Sequence, residues 1–99
     1  MTDNELSGVV ITRSETALWR RMFDGVVVLG PLADRPLQIS SPGYAIWQLL
    51  EHPTTVREIA DVLAANFNEN YDRISADVME VVRGLDAVGA IAPPLSVTA

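Results

Sequence analysis

Residues 35–50 read RPLQISSPGYAIWQLL. Leu37 and Ile39 alternate with Gln38 and Ser40, the period-two pattern of a half-buried strand. Ser41 stands where a helix N-cap belongs. Pro42 follows at the first helical position, where its missing N–H is no loss. Tyr44, Ile46, Trp47 and Leu50 recur at three- and four-residue spacings, so the helix should bury one face. A strand that runs into a helix without a linker must share its core, and the neighbours decide which of its edges is covered.

Upstream, residues 25–30 (GVVVLG) are a β-branched run bounded by glycines, which predicts a strand. Asp24-Gly25 is a tight-turn dipeptide, so residues 18–23 should return as the preceding strand of a hairpin, although TALWRRMF (16–23) fits strand and helix about equally by itself. Residues 31–35 make a loop. Three successive strands form an antiparallel meander, and one this small needs a helical layer over its apolar face.

Downstream, EHPTT (51–55) interrupts the first helix, and Thr55 to Glu58 has the form of a capping box. Ile59, Val62, Leu63 and Phe67 make the stripe of a second helix. NFNENY (66–71) reads as a polar connector. A third helix is predicted from residue 74 or 75 to 88, ending at Gly89, with the stripe Ile74, Val78, Val81, Leu85 and Val88. The expected fold class is α+β and winged-helix-like, a three-stranded antiparallel sheet followed by three helices. The expected organisation is a partly disordered segment 1–15, a domain over 16–92 and a flexible tail over 93–99.

With 99 residues and 48% hydrophobic content, the chain has room for one core. Cysteine is absent, which removes disulfides and thiolate chemistry. No basic n-region opens the chain, and no apolar run approaches the ~20 residues of a membrane span, so the expected setting is the cytoplasm. The net charge is −6. Nucleic-acid binders need a basic face, so that partner is disfavoured, and a last helix rich in acids would be repelled from a DNA groove.

The residues offer little for catalysis. His52 is the only histidine, in a Glu-His-Pro turn. Asp77, Glu80 and Asp86 lie beside a helix stripe, where carboxylates are ordinarily solvated. Gly25 and Gly30 flank a strand rather than precede a helix, so they form no phosphate loop. Trp47 should anchor helix to sheet, with Trp19 at the core edge. Arg20-Arg21 fits a solvated hairpin better than an acidic partner. On the third helix Val82 sits on one shoulder of the stripe and Met79 farther round. Met79 fits core filling and an adaptable peptide-binding surface equally.

Taken in order, GVVVLG, PLQIS, SSPGYAIWQLL, TVREIADVLAANF and SADVMEVVRGLDAVGAI resemble the PqqD-type fold, the RiPP recognition element, over residues 24–91, with Ile46-Trp47 and Asp77-Val78 the most telling pairs. The resemblance implies a non-enzymatic module without a cofactor. It would bind the leader of a ribosomally made precursor peptide and present it to a tailoring enzyme, a radical SAM protein or a leader peptidase. It further implies that the leader adds as an antiparallel strand beside Leu37, Gln38, Ile39 and Ser40 and rests on the third helix. There Met79, Val82, Arg83 and Asp86 are the expected contacts, and Asp77 either touches peptide or caps the helix. Pro36 has no N–H to give, so pairing must begin beyond it. Other readings are a structural subunit that dimerises through the same open edge and, less favoured, a DNA-binding regulator.

Overall fold

The computed structural model describes residues 3–95. In chain order it contains helix α1 (Asp3–Leu6), strands β1 (Thr12–Arg13), β2 (Leu18–Met22), β3 (Gly25–Leu29) and β4 (Leu37–Ser40), helices α2 (Gly43–Leu49), α3 (Val56–Phe67) and α4 (Tyr71–Ala87), and strand β5 (Ile91–Ala92). The expected meander is present as an antiparallel sheet of order β2-β3-β4, and the three main helices follow it. Met22 pairs with Gly25, so the hairpin closes on Phe23-Asp24 and Gly25 already belongs to β3. Glycine is required there, because a Cβ would lie 2.1 Å from the Ile39 carbonyl oxygen.

One face of the sheet and the helices share the core. Val26 and Val28 are fully buried and pair across with Ile39 and Leu37 of β4. Ile46 and Trp47 of α2, Ile59 and Leu63 of α3, and Val78, Val82 and Leu85 of α4 close over them. Each such side chain contributes roughly 1.5 to 3 kcal/mol when removed from water.

Caps, rather than stripes, set the helix ends. Thr55 Oγ1 accepts the Glu58 N–H at 3.1 Å, but the Glu58 carboxylate accepts from Thr54 Oγ1 at 2.9 Å, so the capping box is half closed. Asn68 ends α3 in the left-handed conformation. Asn70 Oδ1 then accepts the N–H groups of Asp72 at 2.9 Å and Arg73 at 3.3 Å, which starts α4 at Tyr71, ahead of its first apolar residue. At α2 the expectation fails: Pro42 occupies the N-cap position, and no side chain, Ser41 included, makes a cap bond. The Ala45 N–H bonds back to the Pro42 carbonyl instead.

The stripes shift too. In α3, Ile59 and Leu63 are buried as expected, while Val62 and Phe67 are exposed and Val56 and Ala60 complete the inner face. In α4, Met79 and Val82 join Val78 and Leu85 inside, and Ile74, Val81 and Val88 are only partly covered. A helix packed against both α2 and α3 buries a wider arc than one stripe.

Between residues 6 and 13 the N-terminal segment packs onto the rest of the molecule. Leu6, Ser7 and Ile11 are buried, Ile11 exchanges two backbone bonds with Thr54, and β1 pairs with β5. These partners are remote in sequence, so local composition cannot reveal them. Leu95 of the expected tail is likewise buried and donates its N–H to Asp86 Oδ1 at 3.0 Å. The rest of that tail, residues 96–99, and residues 1–2 lie outside the described residues.

Candidate functional site

β4 is an outer strand of its sheet, with no strand on its far side among the described residues. A two-residue loop makes Met22 and Gly25 a hydrogen-bonded pair, and the bonding direction alternates along each strand. Val26 and Val28 therefore bond to Ile39 and Leu37, which leaves the N–H and C=O of Gln38 and Ser40 directed to the open edge. Main-chain donors and acceptors so placed invite another strand.

Beside this edge runs a groove of about 420 Å³, between β4, the start of α2 and α4. Leu37, Gln38, Ile39 and Ser40 form one side. Ile46 reaches it from α2, and Asp77, Glu80, Val81 and Gly84 form the helical wall at i, i+3, i+4 and i+7 spacing. The directions of wall and strand follow from their ends. The Leu32 N–H bonds to the Val88 carbonyl at 3.1 Å, near the strand end where Val28 meets Leu37. At the other end Asp77 also lines an adjoining cavity of about 420 Å³ with Ser41 and Pro42. Thus α4 runs antiparallel to β4, with Asp77 near Ser40 and Gly84 near Leu37.

Five of the residues expected at a peptide site, Leu37, Gln38, Ile39, Ser40 and Asp77, come together here. Asp77 lies inside α4 and Asn70 is its cap, so the capping alternative for Asp77 falls. The four other helix residues do not line the groove. Met79 and Val82 are 5% and 0% exposed and belong to the core. Arg83 is exposed outside the groove, and Asp86 holds the Leu95 N–H. The physical reason is rotational: at about 100° per residue a stripe has two shoulders, Met79 and Asp86 lie on the one turned away from β4, and Arg83 lies on the back of the helix. Glu80, Val81 and Gly84 complete the wall, although the sequence does not single them out as contacts. Their signal in the sequence is the 77/80/81/84 spacing together with a glycine inside a helix.

A second cluster braces the other end of α2. The Arg13 guanidinium donates from Nε at 2.9 Å and from a terminal nitrogen at 2.7 Å to the Trp47 carbonyl. It also lies 4.8 Å from the centroid of Trp19 and 4.6 Å from that of Trp47, whose rings meet edge to face at 6.1 Å. A cation at a helix C-terminus complements its free carbonyls and dipole. Burial lowers the Arg13 pKa from its ordinary value, while Glu51 and Tyr44 oppose that shift. The guanidinium stays charged at neutral pH. The Trp47 indole N–H has no hydrogen-bond partner, so packing and this cation hold the ring.

Among the described residues no group of three or more His, Asp or Glu gathers as metal ligands, and no helix is long and apolar enough to cross a membrane.

Comparison with known proteins supplies an independent line. The family model described as coenzyme PQQ synthesis protein D (PqqD) matches residues 25–91. No curated sequence matches the chain. Among solved structures, the chain is similar to the solution NMR structure of the PqqD truncation of Methylobacterium extorquens PqqCD, described as a functional, stand-alone RiPP recognition element. There the identity is 21%, the TM-score 0.70, and the match covers 86% of this chain and 90% of that one. It is also similar to TbiB1 in complex with the TbiA(β) leader peptide, with 22% identity, a TM-score of 0.72, and coverage of 83% and 95%. At these identities the likeness is one of fold.

Proposed function

The chain belongs to the PqqD family, and from that membership and the geometry of β4 we propose that it is a non-catalytic adaptor for the leader of a ribosomally made precursor peptide. The leader adds as an antiparallel strand to the outer edge of β4 and is presented to a tailoring enzyme. The observation that carries this reading is the pair of outward backbone groups at Gln38 and Ser40 beside the groove under α4.

The chemistry suits an extended peptide. Main-chain pairing supplies affinity without sequence, and alternate side chains entering the groove supply selectivity. Ordering a flexible segment costs about 2 to 5 kcal/mol, which the apolar floor of Ile39, Ile46 and Val81 offsets. The TbiB1 complex, whose partner is a leader peptide, supports the same class of ligand. A radical SAM protein or a leader peptidase is the enzyme class this reading implies, acting in the cytoplasm.

The test is a titration of isotope-labelled protein with a synthetic leader encoded beside its gene. Amide shifts should concentrate at Gln38, Ser40 and the α4 residues 77–84. Shifts confined elsewhere would refute the site. A second copy on the edge would appear instead as a symmetric dimer in sedimentation, with no peptide uptake.

A further inference from the structure

The groove is not uniform along its length. Two carboxylates, Asp77 and Glu80, stand at one end of the helical wall, and Gly84 stands at the other. They are the only ionisable side chains lining the groove, while Arg73, one turn before Asp77, lines the adjoining cavity with it. Gly84 is the more unusual feature. After proline, glycine is the least favourable residue in a helix interior, and close packing or a positive φ is the common reason for keeping one. Neither reason applies here. A Cβ at Gly84 would meet nothing within 4 Å, whereas at Gly30 it would lie 1.9 Å from the Val88 carbonyl oxygen. The positive-φ glycine of the chain is Gly89. The space over Gly84 belongs to the groove.

We propose that this wall reads the bound strand as a basic residue followed, two positions later, by a bulky apolar one, with Lys or Arg facing Asp77 and Glu80 and the apolar side chain seated over Gly84. This rests on the strand-addition reading above. An added strand antiparallel to β4 runs from the Ser40 end to the Leu37 end, and therefore from Asp77 toward Gly84. Glu80 and Gly84 are four residues apart on a helix, about 6 Å. Side chains on one face of a strand recur every second residue, about 7 Å, so one step along the peptide matches the span from Glu80 to Gly84, and Asp77, about 10.5 Å from Gly84 along the helix, is within reach of a long basic side chain. A peptide with an acid at the first position would meet like charge from both carboxylates. A small residue at the second would leave the space over Gly84 unfilled.

The experiment is selection of random strand-length peptides displayed on phage against the full chain, Gly84→Leu, and the double variant Asp77→Asn/Glu80→Gln. The parent should enrich the basic-x-apolar pattern. Gly84→Leu should lose the preference for a bulky second residue, weakening the best parent peptide about tenfold, and keep the basic one. The double variant should lose the basic preference, about threefold in affinity for an exposed pair, and keep the apolar one. Gly84→Ala, which should raise the melting temperature, checks that position 84 tolerates a side chain. Identical preferences in parent and variants, or enrichment of acids at the first position, would overturn the inference. If such peptides still shift the Gln38 and Ser40 amides, strand addition itself stands. Peptides that leave those amides unmoved, or no enrichment at all, would overturn both.

Discussion

The sheet has two outer strands, β2 and β4, and their chemistry differs. All five residues of β2 are exposed, and its centre is Arg20-Arg21. By register Arg21 shares the core face with Val26, where its guanidinium lies 5.9 Å from the Tyr44 ring, and Arg20 points to the other face. Charges on an edge oppose pairing with a second chain. β4 carries no charge, buries Ile39, and has a helical wall alongside. An open edge becomes a binding site when its backbone is free, its side chains are neutral, and a neighbouring groove can take every second side chain of the guest.

The largest effect should come from Trp47, which underlies both strands through Trp19, Arg13 and the core. Trp47→Ala should cost about 3 to 5 kcal/mol in urea unfolding, and a loss below 1 kcal/mol would show that the two edges do not share this support. Next are matched prolines at residues whose N–H groups point away from the sheet. Gln38→Pro should weaken leader binding about tenfold or more by removing a main-chain bond, whereas Arg21→Pro on the β2 edge should leave the affinity unchanged. Equal losses from both, measured by anisotropy, would mean that the edges are equivalent.

A smaller effect is expected at the start of the groove wall. Asn70→Ala removes the cap of α4 and should lower stability by about 1 kcal/mol, with hydrogen exchange rising first at residues 71–74. An unchanged exchange profile would remove Asn70 as the cause of the early helix start. The smallest concerns the guard on β2. Arg20→Thr/Arg21→Thr should allow weak, concentration-dependent association in sedimentation while leaving leader affinity intact, and a strictly monomeric variant would deny the arginines that role.

Much of this was readable from local pattern. The alternation in 37–40, the glycine-bounded valines and the order of strands before helices led to the sheet and its layers. The strand side of the groove was readable, because strand alternation has period two and one exposed strand face implies the other. On the helix side the pattern reached only as far as a stripe. Choosing between the shoulders of Met79 and of Glu80 requires knowing where β4 lies relative to α3, and hydrophobic spacing is silent on that. The N-terminal residues were opaque for a related reason: Ile11 is held by Thr54, and β1 by β5, contacts that span much of the chain.

The sequence by itself determined the three central strands, the three main helices after them and the acidic balance. Periodicity and turn chemistry act within a few residues and are written directly in the chain. Only the tertiary structure decided which face of α4 meets β4, that Met79 and Val82 fill the core, and that Gly84 opens onto the groove. Those outcomes depend on how α4 is rotated when it packs against α2, α3 and the sheet together, and that rotation minimises exposed apolar surface over the whole molecule rather than over any one helix.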